Sequence, residues 1–168
     1  CPHTMSLESV FRDEVVDGKL RLNVRELDDA TRFYLLAIFN SFVIDFLLRQ
    51  RVTAHVSFFF VYNLPVPRLG PDDAAFQMLV HRAARLTCVT PEFDDLAKSG
   101  GLTDHRGGAT EFADRSQLRA EIDGLVAHLY GLTEPEFVHV LSTFPVVAEP
   151  VKVAAHNAYR DVARGLIT

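Results

Sequence analysis

The sequence predicts a mainly α fold (α+β): one helical module with a short β element around residues 52–62. Three observations lead there. Apolar residues recur at helical spacing in several stretches, most cleanly from Ser116 to Tyr130, where Leu118, Ile122, Leu125, Val126 and Leu129 share one face. Capping residues and helix-stopping glycine or proline flank those stretches. Val52 to Tyr62 is instead rich in β-branched and aromatic side chains, as strands are. At 168 residues a single domain with a sizeable core is expected.

Taken in order, residues 1–29 read as a lead-in, with one or two helical turns between Ser6 and Val16 and a weakly alternating strand from Lys19 to Val24. Asp28 or Asp29 can cap the next helix, because a short carboxylate accepts the orphan amides of a first turn. That helix is expected from about Ala30 to Gln50, apolar on almost every face and therefore covered on several sides. Asn40 and Ser41 interrupt it. Asn40 is read as hydrogen-bonding a neighbouring element and Ser41 as permitting close packing. Arg49, Gln50 and Arg51 close it, where cations suit the negative end of the dipole.

In the strand over 52–62, the run Phe58-Phe59-Phe60 implies cover on both faces. Leu64-Pro65-Val66-Pro67 must then leave regular structure, since each proline removes an amide donor and biases the residue before it to extended geometry. A second helix is expected over Pro71–Thr87 with Asp72 and Asp73 in its first turn, and a short one over Pro91–Ala97. Ser99 to Thr110, with four glycines, reads as a flexible linker. After the helix over Ser116–Tyr130, Gly131 supplies a left-handed stop. Thr133 and Glu136 have capping-box spacing, and Phe137, Val140, Leu141 and Phe144 form the next stripe, ended by Pro145. These two helices are expected to pair as a tight hairpin. Residues 148–168 read as an appended helix, from Val151 to Ile167, so that residues 30–147 form the core.

Chemistry-bearing motifs are sparse. The seven histidines make no HxxxH or HExxH pair and there is no CxxC, so no zinc site is expected. There is no GxSxG elbow, and the glycines of 99–110 lack the strand and the Gly-Lys-Ser/Thr of a phosphate loop. Adjacent carboxylates such as Asp72/Asp73 point apart on a helix. Catalytic, cofactor-binding and metal-binding residues are therefore read as none. Cys1 and Cys88 give no disulfide framework, and Cys88 sits in an apolar pattern as a buried thiol. The longest apolar run, Phe33 to Leu48, contains Asn40, Ser41 and Asp45 and is short for a membrane span of ~20 residues. A cytoplasmic protein is the expectation. Because the chain opens on Cys1 rather than Met, it is read as a piece of something longer.

Charge is distributed unevenly. The formal net charge is −5, yet residues 31–68 carry Arg32, Arg49, Arg51 and Arg68 against Asp45 alone. Positive potential is concentrated in that stretch while the flanking segments are acidic. Fourteen of the seventeen basic residues are Arg, the side chain suited to bidentate phosphate contacts.

Two segments carry a family resemblance. Asn40-Ser41, then Arg49, then the apolar run ending Leu64-Pro65-Val66-Pro67 resembles a segment in the C-terminal part of large DNA adenine-N6 methyltransferases, the combined restriction–modification enzymes and related phage-defence methylases. The stretch from Leu118 to Thr133, followed by Phe137 and Ser142-Thr143-Phe144-Pro145, is similar to the end of the same proteins. Arg85-Leu86-Thr87 and Pro91-Glu92-Phe93 sit where that family has comparable words. The resemblance covers about residues 30–147, and its second segment is the more specific.

The resemblance implies a parent enzyme that transfers a methyl group from S-adenosylmethionine to adenine in double-stranded DNA, flipping the base into an Asn/Asp-Pro-Pro-Tyr/Phe pocket. Neither the Gly-rich cofactor loop nor that tetrapeptide is present here. The chain is therefore expected to be the non-catalytic C-terminal part, belonging to or supporting the target-recognition region, with the catalytic domain in cis. Arg49, Gln50, Arg51, His55, Asn63 and Arg68 are the candidate DNA-binding residues: the arginines and His55 for phosphates, Gln50 and Asn63 for an adenine edge. The alternative is a docking module, in which Phe42, Phe46 and Phe58–Phe60 bind another domain or subunit.

Overall fold

A computed structural model of the chain describes residues 4–5, 11–16, 19–24, 27–51 and 58–167. The fold is mainly helical, as the sequence predicts. Eight α-helices lie among the described residues: α1 (Asp29–Phe39), α2 (Phe42–Arg49), α3 (Phe58–Tyr62), α4 (Ala74–Thr87), α5 (Asp94–Ser99), α6 (Phe112–Leu129), α7 (Glu134–Ser142) and α8 (Glu149–Ala163). Strands are short. β2 (Phe11–Val16) and β3 (Lys19–Val24) form an antiparallel hairpin in which Phe11 faces Val24, and β1 (Thr4–Met5) pairs antiparallel with β4 (Val66–Pro67).

Several expectations are corrected. The strand over 52–62 is a helix where it is described: Phe58 to Tyr62 is α3, and residues 52–57 lie outside the described residues. A short apolar run satisfies either periodicity, and here the Asn63 Nδ2 donates back to the Phe59 carbonyl at 2.8 Å, closing a helical turn. The helical turns expected between Ser6 and Val16 are strand over Phe11–Val16, with residues 6–10 outside the described set; the β-branched Val15 and Val16 suit that geometry.

The single helix over Ala30–Gln50 is two helices meeting at 63°. Asn40 bonds within α1, its Nδ2 donating to the Leu36 carbonyl at 2.8 Å, rather than to a neighbouring element. Ser41 is the N-cap of α2: its hydroxyl accepts from the Ile44 amide and donates to the Ile38 carbonyl at 2.8 Å. Short polar side chains that bond the local backbone compete with helix continuation, which is why the break falls here.

Other boundaries match local chemistry. The Asp28 carboxylate accepts from the Thr31 amide at 2.7 Å and caps α1. α4 starts at Ala74 rather than Pro71, with Asp73 as its N-cap residue and the Asp73 carboxylate taking the Gly70 amide. The Glu136 carboxylate returns to both the amide and the hydroxyl of Thr133 at 2.7 Å, the capping box the spacing predicts. Gly131 has φ +69°, the left-handed stop after α6. The segment expected as a flexible linker is tied down: the Ala109 amide donates to the Arg85 carbonyl at 2.7 Å, and Asp94 accepts from both the amide and the Nδ1 of His105.

The core is shared by α1, α2, α4, α6, α7 and α8, with Ala97 of α5 also inside it and Ile38, Ile44, Leu79, Val126 and Phe137 fully enclosed. The hairpin expected between α6 and α7 is not the main contact of either; α6 packs chiefly along α8 and then α4. Close approach is set by Gly124, where an added Cβ would sit 2.7 Å from the Tyr159 amide nitrogen. Among the described residues no single helix is long and apolar enough to cross a membrane. Cys88 is buried, and burial raises its thiol pKa.

Candidate nucleic-acid interface

The basic joint is built where α2 ends and the chain returns through α3 to the Pro-rich segment. Two tyrosines fix that segment. The Tyr34 hydroxyl donates to the Pro67 carbonyl and the Tyr130 hydroxyl to the Pro65 carbonyl, each at 2.8 Å. Burial raises both phenol pKa values, so both remain donors. Leu64 and Val66 point into the core. The prolines, which cannot donate, thus present carbonyls to buried donors. The segments Asn40-Ser41 and Leu64-Pro65-Val66-Pro67 are scaffold: one makes the elbow, the other a clamped edge.

The candidate residues separate into groups. Arg49 is committed elsewhere. Its Nε and Nη2 grip the Asp45 carboxylate at 2.9 Å, and its guanidinium lies 4.6 Å from the centre of the Phe144 ring. That places it against the end of α7 with its charge matched. Gln50 is exposed at the C-cap of α2. Arg51 and Asn63 are brought together: Arg51 Nη1 donates to the Asn63 carbonyl at 3.0 Å, and both side chains are exposed. A carbonyl does not neutralise the guanidinium, so Arg51 keeps its full charge. Arg68 is exposed immediately after β4. His55 lies outside the described residues.

The docking residues separate too. Phe42 packs edge-on against Phe144 with ring centres 4.9 Å apart, and Phe46 meets His139. Both are half-buried internal contacts and not free docking groups. Phe59 is 69% exposed.

Sequence reasoning missed Asp123. Its carboxylate is buried on α6 and accepts from the Phe42 amide at 2.9 Å, joining α6 to the first turn of α2. Burial raises its pKa to about 7, against the opposing effect of that hydrogen bond. The signal was available: an acid between Ile122 and Gly124 interrupts an apolar face. Also missed was the nearly buried ion pair of Arg82 and Glu121, 2.7 Å apart, which links α4 to α6. Among the described residues no group of three or more His, Cys, Asp or Glu is placed to hold a metal ion.

Comparison with protein-family models, with curated proteins and with solved structures finds no match to this chain.

Proposed function

We propose that this chain is the non-catalytic C-terminal part of a cytoplasmic DNA adenine-N6 methyltransferase of the restriction–modification or phage-defence kind, and that it supports the target-recognition region by holding the DNA backbone. Methyl transfer and S-adenosylmethionine binding belong to a catalytic domain in cis. The reading rests on the two family-like segments. The observation that carries the DNA contact is Arg51, an exposed guanidinium with no acidic partner among the described residues, set beside Asn63 in an otherwise acidic chain. Arg51 and Arg68 hold phosphates, which position a duplex without reading its sequence; Gln50 and Asn63 are the amides within reach of a base edge. Arg49 drops out of the contact, because Asp45 already takes its charge.

The test is binding of a labelled DNA duplex across a salt series. Each lost phosphate contact lowers the slope of log affinity against log salt by about 0.9. Arg51→Ala and Arg68→Ala should each do so, and Arg49→Ala should not. Unchanged slopes for the first two would remove the joint from the interface. A second reading, a docking module without DNA binding of its own, is favoured by the outward-facing Phe59 ring. No DNA binding at low salt, with Phe59→Ser abolishing association with the catalytic domain, would establish it instead.

A further inference from the structure

We propose that the cleft between α1, α4 and α6 is a binding site for a small organic acid, an apolar or aromatic body carrying one carboxylate. The cleft has a volume of about 260 Å³, just below the usual ligand-pocket range of roughly 300 Å³ and upward, so its occupant is fragment-sized. Its inner surface is made of small or apolar side chains, Ala37, Ala83 and Ile122, and Leu36 stays 43% exposed on its wall. A large aliphatic side chain half open to a concavity is the surface an apolar body would cover.

The charge comes from Arg115 and Arg119, one turn apart on α6, both lining the cleft. Arg115 is held in place. Its Nη1 donates to the Leu86 carbonyl at 3.0 Å and to the Ala109 carbonyl at 2.8 Å, which leaves the rest of the guanidinium fork for a ligand. Arg119 is exposed and has no ion-pair partner among the described residues. The acids nearest to it along α6 are already engaged: Glu121 with Arg82 and Gln117, Asp123 with the Phe42 amide. Two cations at this spacing, neither in an ion pair among the described residues, repel each other, and a carboxylate bridging them relieves that repulsion through charge-assisted hydrogen bonds. The cleft shares no residue with the basic joint and does not depend on the DNA reading.

The test is methyl-detected NMR of the whole chain with three probes: phenylacetate, 2-phenylethanol (the body without the charge) and acetate (the charge without the body). Phenylacetate should move the Ala37, Ala83 and Ile122 methyl signals saturably, with a midpoint about tenfold or more below that of either control, the worth of one charge-assisted contact or of a buried apolar body. Arg119→Ala should weaken it about tenfold while leaving the melting temperature unchanged, since that side chain is exposed. No saturable shift, shifts centred elsewhere, or equal binding of 2-phenylethanol would overturn the proposal.

Discussion

A carboxylate set between core positions of a helix must shed its charge or find a donor, and Asp123 does some of each. Its one donor among the described residues is the Phe42 amide, and burial favours the neutral acid. With a folded pKa of about 7 against 3.8 unfolded, the folded state binds the extra proton between those values. Stability from this group is therefore greatest below about pH 4 and is lost as pH rises toward 7. Asp123→Asn keeps an acceptor for the Phe42 amide and removes the titration. We expect it to stabilise the chain at pH 8 by a few kcal/mol, on the order of the shift itself, and to flatten the wild-type decline. Urea midpoints of both proteins at pH 5 and pH 8 check this; equal slopes with pH would mean Asp123 titrates normally. At this scale the sequence was readable where a residue acts on its own stretch of backbone, through a capping side chain at Asp28 and Thr133 and through a left-handed φ at Gly131. It was not readable where the partner lies far along the chain, as for Asp123 with Phe42 or Arg49 with Phe144.

Elements show the same division. Stripes on α4, α6 and α7 are legible because helical periodicity is a local property, and the strand over Lys19–Val24 because alternation is too. Phe58 to Tyr62 was misread because three consecutive rings carry no period. The elbow between α1 and α2 was marked by Asn40-Ser41, but its consequence was not, since nothing local says that Ser41 will restart a helix instead of lining one. The pairing of α6 with α8 was hidden in a single residue. Gly124 in mid-helix costs ~1 kcal/mol relative to Ala by propensity, a local penalty that makes sense only once α8 lies against it. Gly124→Ala would drive its Cβ to 2.8 Å from the Ala158 carbonyl carbon, backbone that no rotamer change can relieve. We expect a net loss of about 1–3 kcal/mol, as for other overpacked sites, read as a lower urea midpoint. A gain in stability would show that the two helices separate freely.

Across the whole molecule, α8 lies against the core helices. α8 buries Ala155, Ala158 and Tyr159. The Tyr159 ring stacks on His128 at 4.1 Å and on Phe137 at 5.4 Å, and its hydroxyl donates to the Leu132 carbonyl at 2.8 Å. Glu134, at the start of α7, accepts from Arg160 and His156 of α8; those bonds, Arg160 first, hold its carboxyl below the usual range. Removing α8 would uncover Gly124, the His128 ring and one face of Phe137 together. Losing the burial of one tyrosine and two alanines costs several kcal/mol at about 25 cal/mol per Å², a large part of a typical total of ~5–15 kcal/mol. A chain ended after Val147 should therefore lose its cooperative thermal transition and bind hydrophobic dyes, while the full chain melts in one step. If instead the shortened chain melts within a few degrees of the full one, α8 is an attachment, and the contacts around Tyr159 contribute little to holding α6 and α7 in place.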